Sequence, residues 1–130
     1  MRSVAVMAGG VVGTLLRWSV AQIMSPSPSG FPWATLFVNI TGAFALGVVG
    51  VLLIERLAHV GHLRTFLAIG LLGSYTTFSA MAVEGVRLVE SRHVALAAGY
   101  WVATLVLGQL AGLLGMWLGR ARIPIWKETG

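Results

Sequence analysis

Several polar residues of this chain lie inside long apolar segments, where a polar group is unfavourable unless it has a hydrogen-bonding partner or a ligand. The stretch Gly70-Leu-Leu-Gly-Ser-Tyr-Thr-Thr-Phe-Ser-Ala-Met81 brings glycines, hydroxyl groups and two aromatic rings together inside an otherwise apolar span. Because a bilayer core offers no water to unpaired backbone groups, non-helical backbone persists there only where it is buried in protein or lines a cavity. This stretch therefore predicts a helix break, and the carbonyl groups set free at a break can hold a cation.

A second set of polar side chains indicates a polar track. Asn39 lies within an uncharged apolar run, and its amide can donate two hydrogen bonds. Tyr100 and Thr104 are separated by one helical turn, which puts two hydroxyl groups on one helix face. The alternative is that each group bonds across helices or to a backbone carbonyl, as threonine commonly does in membrane helices.

The composition identifies the chain as an integral membrane protein. Of its 130 residues, 57% are hydrophobic and only 10% are charged, and the mean hydropathy is +0.86. Such a chain cannot cover a water-exposed surface with polar groups. The net charge of +5 does not indicate a nucleic-acid partner, because the basic residues are spread over the span ends and form no basic face. Membrane lipid is the predicted surrounding.

Four apolar runs predict one all-α transmembrane domain over residues 1–130. The expected spans are residues 3–24, 33–54, 65–83 and 94–119, and the helix break falls in the third span. Small residues recur at the spacing used in helix packing, in the pairs Gly9/Gly13, Ala43/Gly47, Gly108/Gly112 and Gly115/Gly119. Since four spans enclose little interior, a polar pathway predicts a second copy, and we expect a dimer.

The basic residues give a moderate orientation signal. If the spans alternate, the N-terminal side has Arg2, Arg56, Arg64, Arg120, Arg122 and Lys127, whereas the opposite side has Arg17, Arg87 and Arg92. This bias favours termini inside the cell. Insertion in both orientations is the open alternative.

Four motifs, taken in order, resemble the Fluc (CrcB) family of small fluoride channels. They are Gly9-Gly-Val-Val-Gly-Thr-Leu-Leu-Arg17, Thr35-Leu-Phe-Val-Asn-Ile-Thr-Gly42, Gly73-Ser-Tyr-Thr-Thr-Phe-Ser79, and Glu84. Each motif alone is weak evidence, but their order, their spacing and the four-span layout agree. The resemblance implies an antiparallel dimer of four-helix subunits with two parallel anion pathways, which exports fluoride passively across a prokaryotic cell membrane.

The same resemblance implies one structural sodium ion at the dimer centre, where the broken third helices cross. Gly73 and Thr76 would provide its ligands through their backbone carbonyl groups. A helix break in lipid independently needs partners for its freed oxygens, and a hard monovalent cation can satisfy several of them. The choice of sodium comes from the family alone.

A fluoride pathway must replace the water lost by a small, tightly hydrated anion without holding the ion permanently. The expected hydrogen-bond donors are Asn39, Thr77, Ser79, Tyr100 and Thr104. By resemblance, the first of two pathway phenylalanines is Phe78. Its ring edge carries the positive end of the aromatic quadrupole and can face an anion.

The chain departs from the family pattern at two positions. Met81 stands where the family's TTFSTF motif has its second phenylalanine, so the resemblance implies that Met81 takes this place in the pathway, although a thioether has no ring edge. Gly108 continues the Tyr100/Thr104 stripe where the family often has another hydroxyl group. These departures, with the basic-residue bias, leave open an assembly in which the chain pairs with a differing sister subunit of opposite orientation.

Charged residues near the spans have less specific roles. Arg17 resembles an arginine at the end of the family's first helix and would concentrate anions in a vestibule, or else extend towards lipid headgroups. Glu84 would repel an anion, so we expect it to pair with an arginine or to cap backbone donors. His59, His62 and His93 lie in charged loops without the partners of a metal site.

Other functional classes are less consistent with the sequence. It has no nucleophile paired with a base, no paired catalytic carboxylates and no phosphate-binding loop, so no enzyme is predicted. A proton-coupled multidrug exporter needs a titratable acid deep in a span, and the first two spans contain none. An accessory membrane subunit would use its polar residues only to join helices, and would leave membranes impermeable to halides.

Overall fold

The computed structural model describes residues 2–24, 30–55 and 61–121. The regular elements in these ranges are all helical. They are α1 (Arg2–Ile23), α2 (Trp33–Glu55), α3 (Gly61–Arg64), a π-helix (Thr65–Leu72), α4 (Gly73–Tyr75), α5 (Phe78–Glu90) and α6 (Val94–Ala121). Most of the predicted Ser-Pro loop, the middle of the charged connection that includes His59, and residues 122–130 lie outside the described residues.

Four helical segments are long and apolar enough to cross a membrane, which confirms the predicted all-α membrane fold. The first, second and fourth are α1, α2 and α6, each within two residues of its predicted bounds. The third runs from Gly61 to Glu90 and is longer than the predicted 65–83. The sequence ended the apolar span before the first charged residue, Glu84, and left open an amphipathic continuation of one or two turns. The helix does continue, because its later charged residues lie on the exposed face of α5.

Glycines bring α1 and the π-helix into backbone contact. A Cβ atom on Gly9 would overlap the carbonyl oxygen of Phe66, and one on Gly13 would overlap the carbonyl oxygen of Leu71. Gly70 makes the reciprocal approach, because its Cβ would lie 2.8 Å from the Val6 carbonyl oxygen. These small residues let two helices pack without side chains between them, as the Gly9/Gly13 spacing predicted.

A second glycine-rich contact joins α2 to α6. A Cβ atom on Gly47 would overlap the Gly112 carbonyl oxygen, and one on Gly115 would overlap the Phe44 carbonyl oxygen. Gly108 differs from the expectation, because no atom of the described chain lies within 4 Å of the position of its Cβ. The predicted Gly108/Gly112 pair therefore packs only through Gly112, since Gly108 faces away from α2.

The best-packed part of the interior lies between α2, α5 and α6. Its buried members are Leu36, Met81, Leu88, Ala97 and Tyr100. Elsewhere the helices present large apolar side chains outward, as a lipid-facing surface requires, among them Val11 and Leu15 of α1 and Leu110 and Leu113 of α6. The interior cluster fixes α5 against α2 and α6, and so fixes the second half of the interrupted span.

Candidate functional site

Two adjacent threonines interrupt the third span near its middle. Thr76 has extended backbone (φ −75°, ψ 154°), and so does Thr77 (φ −148°, ψ 115°). The backbone amide and the hydroxyl group of Thr76 both donate to the Leu72 carbonyl, at 3.1 and 2.9 Å, and these bonds end α4, the helix before the break. The hydroxyl oxygen of Thr77 accepts from the Ala80 amide at 3.2 Å, which caps α5. The predicted helix break is thus confirmed, one threonine ending a helix and the next beginning another.

Asn39 of α2 bonds directly to the backbone of the break. Its side-chain oxygen Oδ1 accepts from the Thr77 amide at 2.8 Å, and its Nδ2 donates to the Thr77 carbonyl at 3.0 Å. In a continuous helix the Thr77 amide would bond the Gly73 carbonyl, four residues earlier. With that amide taken by Asn39, the carbonyls of residues 73–76 accept no hydrogen bond from any described residue.

A second contact from α2 holds the other side of the break. The Thr41 hydroxyl donates to the Phe37 carbonyl at 2.7 Å, so the Tyr75 hydroxyl, 2.9 Å away, must donate to Thr41. Gly42 allows the close approach, because a Cβ atom there would overlap the Thr76 methyl group and lie 3.2 Å from the Tyr75 ring. Both ends of the interruption are therefore bonded to α2.

An open groove of about 360 Å³ runs beside the break. It brings together most of the predicted pathway residues, namely Asn39, Thr77, Phe78, Met81 and Thr104, with the predicted cation ligands Gly73 and Thr76. Apolar side chains of α2, α6 and the π-helix complete its walls, including Leu46, Leu72 and Leu105. Ser79 and Tyr100 do not line it. The groove is thus mainly apolar, with a few polar groups concentrated at the break.

The groove and the start of α5 beside it offer several donors with no full positive charge. One Asn39 amide hydrogen is left over after the bond to Thr77. The backbone amides of Phe78 and Ser79, in the first turn of α5, have no hydrogen-bond partner among the described residues, and a helix N-terminus favours an anion. Sequence reasoning missed these amides, although a capping threonine directly after a break could have indicated them.

Phe78 begins α5 with its ring held outward. The side chain is 75% exposed. It lines the groove beside the Thr77 cap, so a ring edge is available to whatever occupies the groove. Ser79 is also exposed, and its hydroxyl oxygen lies 3.2 Å from that of Thr77.

The two hydroxyl groups predicted on α6 have internal partners. The Thr104 hydroxyl donates to the Tyr100 carbonyl at 2.8 Å, and the Tyr100 hydroxyl donates to Glu84 Oε2 at 2.8 Å. Thr35 donates to the other oxygen of the same carboxyl group, also at 2.8 Å. The expectation of an arginine or backbone partner for Glu84 is therefore wrong. Two hydroxyl groups converge on it because α2 and α6 flank α5 at this level.

Met81 lies at the boundary between the groove and the interior. The side chain is 6% exposed and belongs to the interior cluster, while it also forms part of the groove wall. The indole N–H of Trp101 donates to the Met81 carbonyl at 3.3 Å, and Trp101 packs so closely on Gly85 that any Cβ there would overlap the ring. The thioether therefore presents only a small part of its surface to the groove.

The chemistry of the break fits a hard monovalent cation. Unpaired carbonyl oxygens at residues 73–76 are neutral oxygen ligands of the kind that such a cation takes, and Gly73 lies exposed at the groove. No cluster of His, Asp and Glu able to hold a metal ion occurs in the described ranges. Arg17, half-buried on α1 one turn after Gly13, is not among the groove residues.

Fold and site together define a small membrane protein with four spans, an interrupted third span and an open groove at the interruption. A family model described as CrcB-like protein, Camphor Resistance (CrcB), matches residues 4–116. The chain belongs to this family, as the resemblance of its motifs predicted.

Curated relatives match the chain over most of its length. The fluoride-specific ion channel FluC 1 of Mycobacterium tuberculosis is 43% identical over 107 residues, which are 82% of this chain and 81% of the relative. The fluoride-specific ion channel FluC of a Thermus thermophilus strain is 41% identical over 123 residues, 94% and 96% of the two chains. The FluC of Rhizobium meliloti is 37% identical over 117 residues, 89% and 94%. Each of these relatives is named as an ion channel, and none of the three is named as an enzyme.

Proposed function

We propose that the protein is a fluoride-selective channel that lets fluoride leave the cytoplasm passively. The observation that supports this most strongly is the groove at the helix break, which Asn39 and Phe78 line and beside which α5 begins with unpaired amides. The names of the relatives, each a fluoride-specific ion channel, point to the same substrate.

Selectivity for fluoride follows from the kind of donors in the groove. Fluoride loses more hydration energy than the larger halides, so it needs several short hydrogen bonds in place of water. The remaining Asn39 hydrogen and the α5 amides can supply them, and the Phe78 ring edge adds a weak positive potential. Because none of these groups carries a full charge, the ion is stabilised without being trapped.

A structural sodium ion at the break completes the proposal. Gly73 and Thr76 would hold it through their carbonyl oxygens, which are without hydrogen-bond partners in the described chain. The ion would neutralise the negative ends of these carbonyl dipoles, which are otherwise costly to leave unpaired in a membrane.

The channel is proposed to be an antiparallel homodimer in the inner membrane of a prokaryotic cell. Gly73 and Phe78, both expected near the dimer centre, are exposed on the single chain, and the groove is open along one side. A second copy would cover both and close the groove. The mixed dimer with a sister subunit is the alternative assembly.

Reconstitution into liposomes tests the function. Vesicles loaded with potassium fluoride or potassium chloride are treated with valinomycin, and the released anion is followed with an ion-selective electrode. We expect rapid release of fluoride and no release of chloride. Asn39→Asp should suppress the fluoride flux, because it removes a donor and adds a negative charge at the groove.

Two outcomes would contradict the proposal. Equal release of fluoride and chloride would reject selectivity, and vesicles that stay sealed to both ions would support an accessory structural subunit instead. Gly50→Ala is the control for a substitution in α2 outside the groove, since among the described residues no atom of another helix lies within 4 Å of the added Cβ.

A further inference from the structure

We propose that Asn39 is a positioning residue for the cation site, because it keeps the Gly73 carbonyl free to bind the ion. This inference rests on the cation site of the proposed function. It gives the side chain a second task, distinct from donating to an anion in the groove.

The first step concerns the fate of one backbone amide. The Thr77 N–H is the natural helical partner of the Gly73 carbonyl, and an N–H left unpaired in lipid is costly. Asn39 Oδ1 accepts that N–H at 2.8 Å. Without this acceptor, the unpaired oxygen at α-helical spacing from that amide is the Gly73 carbonyl, and closing this bond would both lengthen the helix and occupy the carbonyl.

The second step concerns the orientation of the Thr77 residue. The Asn39 side chain bonds both the backbone amide and the backbone carbonyl of Thr77, at 2.8 and 3.0 Å, as a residue of a neighbouring β-strand would. A residue held at both polar groups keeps the extended φ and ψ that the break requires. The Asn39 amide therefore stabilises the interrupted form against the continuous helix.

A parallel contact precedes the break. The Tyr75 hydroxyl donates to Thr41 at 2.9 Å, and the Thr41 hydroxyl proton is directed to the Phe37 carbonyl. Tyr75 is the last residue of α4, so this bond fixes the end of the segment that carries the free carbonyls. Its contribution should be smaller than that of Asn39, because it competes with no backbone bond of the break.

Cation binding can be measured without reference to ion flux. Purified protein is unfolded thermally in detergent over a range of sodium chloride concentrations, with N-methyl-D-glucamine chloride keeping ionic strength constant. A ligand that binds only the folded protein raises the melting temperature in a concentration-dependent way. For the wild-type chain we expect such a rise with sodium.

Substitutions then distinguish the contribution of the Asn39 side-chain oxygen from that of its side-chain nitrogen. Asn39→Leu removes both the acceptor and the donor and should raise the sodium concentration needed for stabilisation by about tenfold or more. Asn39→Asp keeps the acceptor for the Thr77 amide but loses the donor to the Thr77 carbonyl, so its response should be weakened but retained. Thr41→Val should give a smaller increase. Thr65→Val is the matched control and should respond like the wild type, because the Thr65 hydroxyl bonds only the Gly61 carbonyl and the residue does not line the groove.

A wild-type sodium response in Asn39→Leu would overturn the inference. If Asn39→Leu does not fold, the other two variants decide, because a response lost in Asn39→Asp or unchanged in Thr41→Val would also contradict it. A wild-type chain that ignores sodium would reject the cation site and this inference together. Fluoride release from liposomes would still stand or fall by its own measurement.

Discussion

Asn39 illustrates how one side chain can serve both the backbone and a ligand. Its position within an uncharged span predicted either a donor on an ion pathway or a bond across helices. In the structure, the acceptor oxygen and one hydrogen bond Thr77, and the second hydrogen remains available at the groove. The two interpretations therefore do not exclude each other, since a primary amide has more hydrogen-bonding groups than Thr77 can use.

Phe78→Ile should lower the rate of fluoride release by about tenfold, equivalent to about 1.4 kcal/mol in the barrier. Isoleucine keeps the apolar bulk but has no ring edge to face an anion. The control is Phe37→Ile, the same change at an exposed phenylalanine that does not line the groove. Initial rates in the liposome assay measure both variants, and equal rates would remove the ring from the proposed pathway.

Tyr100→Phe should destabilise the protein by about 1–2 kcal/mol, because it removes a donor to the half-buried Glu84 carboxyl group. Thr104→Val should cost less, since its hydroxyl bonds a carbonyl of its own helix, which already has a place in the α6 ladder. Thermal unfolding of the two variants in detergent compares them. A larger loss for Thr104→Val would contradict the assigned hydrogen bonds.

The sequence was sufficient to select most groove residues but not their partners. Residue type and location inside a span identified Asn39, Thr77 and Phe78, because polar groups and breaks in lipid are rare. The partner of Glu84 could not be predicted, since it depends on how α2 and α6 flank α5. The unpaired backbone amides at the start of α5 could not be predicted from residue type, because every residue except proline has a backbone amide.

At the scale of elements, the break was predictable and the π-helix before it was not. Glycine and adjacent threonines signal an interruption through their own conformational preferences. The π-helix, by contrast, extends over eight residues, Thr65–Leu72, that would equally suit an α-helix. The wider turns of the π-helix lie against α1, where Gly9 and Gly13 meet backbone carbonyl groups. The π-helical geometry therefore occurs where two helix backbones are in direct contact.

Gly13→Ala should destabilise the protein by about 1–3 kcal/mol or more, because the new methyl group would overlap the Leu71 carbonyl oxygen and force α1 away. Gly50→Ala makes the same change in α2, where the added methyl meets no atom within 4 Å. It should be neutral or stabilising by about 0.5–1 kcal/mol, through helix propensity. Melting temperatures of the pair provide the test, and similar losses would contradict the close α1 contact.

At the scale of the whole molecule, the single chain leaves the residues of its proposed pathway uncovered. Phe78 is 75% exposed, and the groove that contains it and Gly73 is open on one side. We expect native mass spectrometry of the protein expressed alone to find a dimer. A monomer that becomes a complex only with a second, differing chain would favour the mixed assembly instead.

An antiparallel homodimer makes a further prediction about orientation, which the absence of cysteine from the sequence makes convenient to test. His62 and His93 are both exposed and lie at opposite ends of the third span. In sealed vesicles, His62→Cys and His93→Cys should each be labelled to about one half by a membrane-impermeant thiol reagent, because each orientation exposes one of the two ends. Permeabilised vesicles, in which both variants should label fully, are the control. Complete labelling of one variant and none of the other would mean a single orientation and would contradict the antiparallel dimer. A single orientation is the outcome that the excess of basic residues on the N-terminal side would favour.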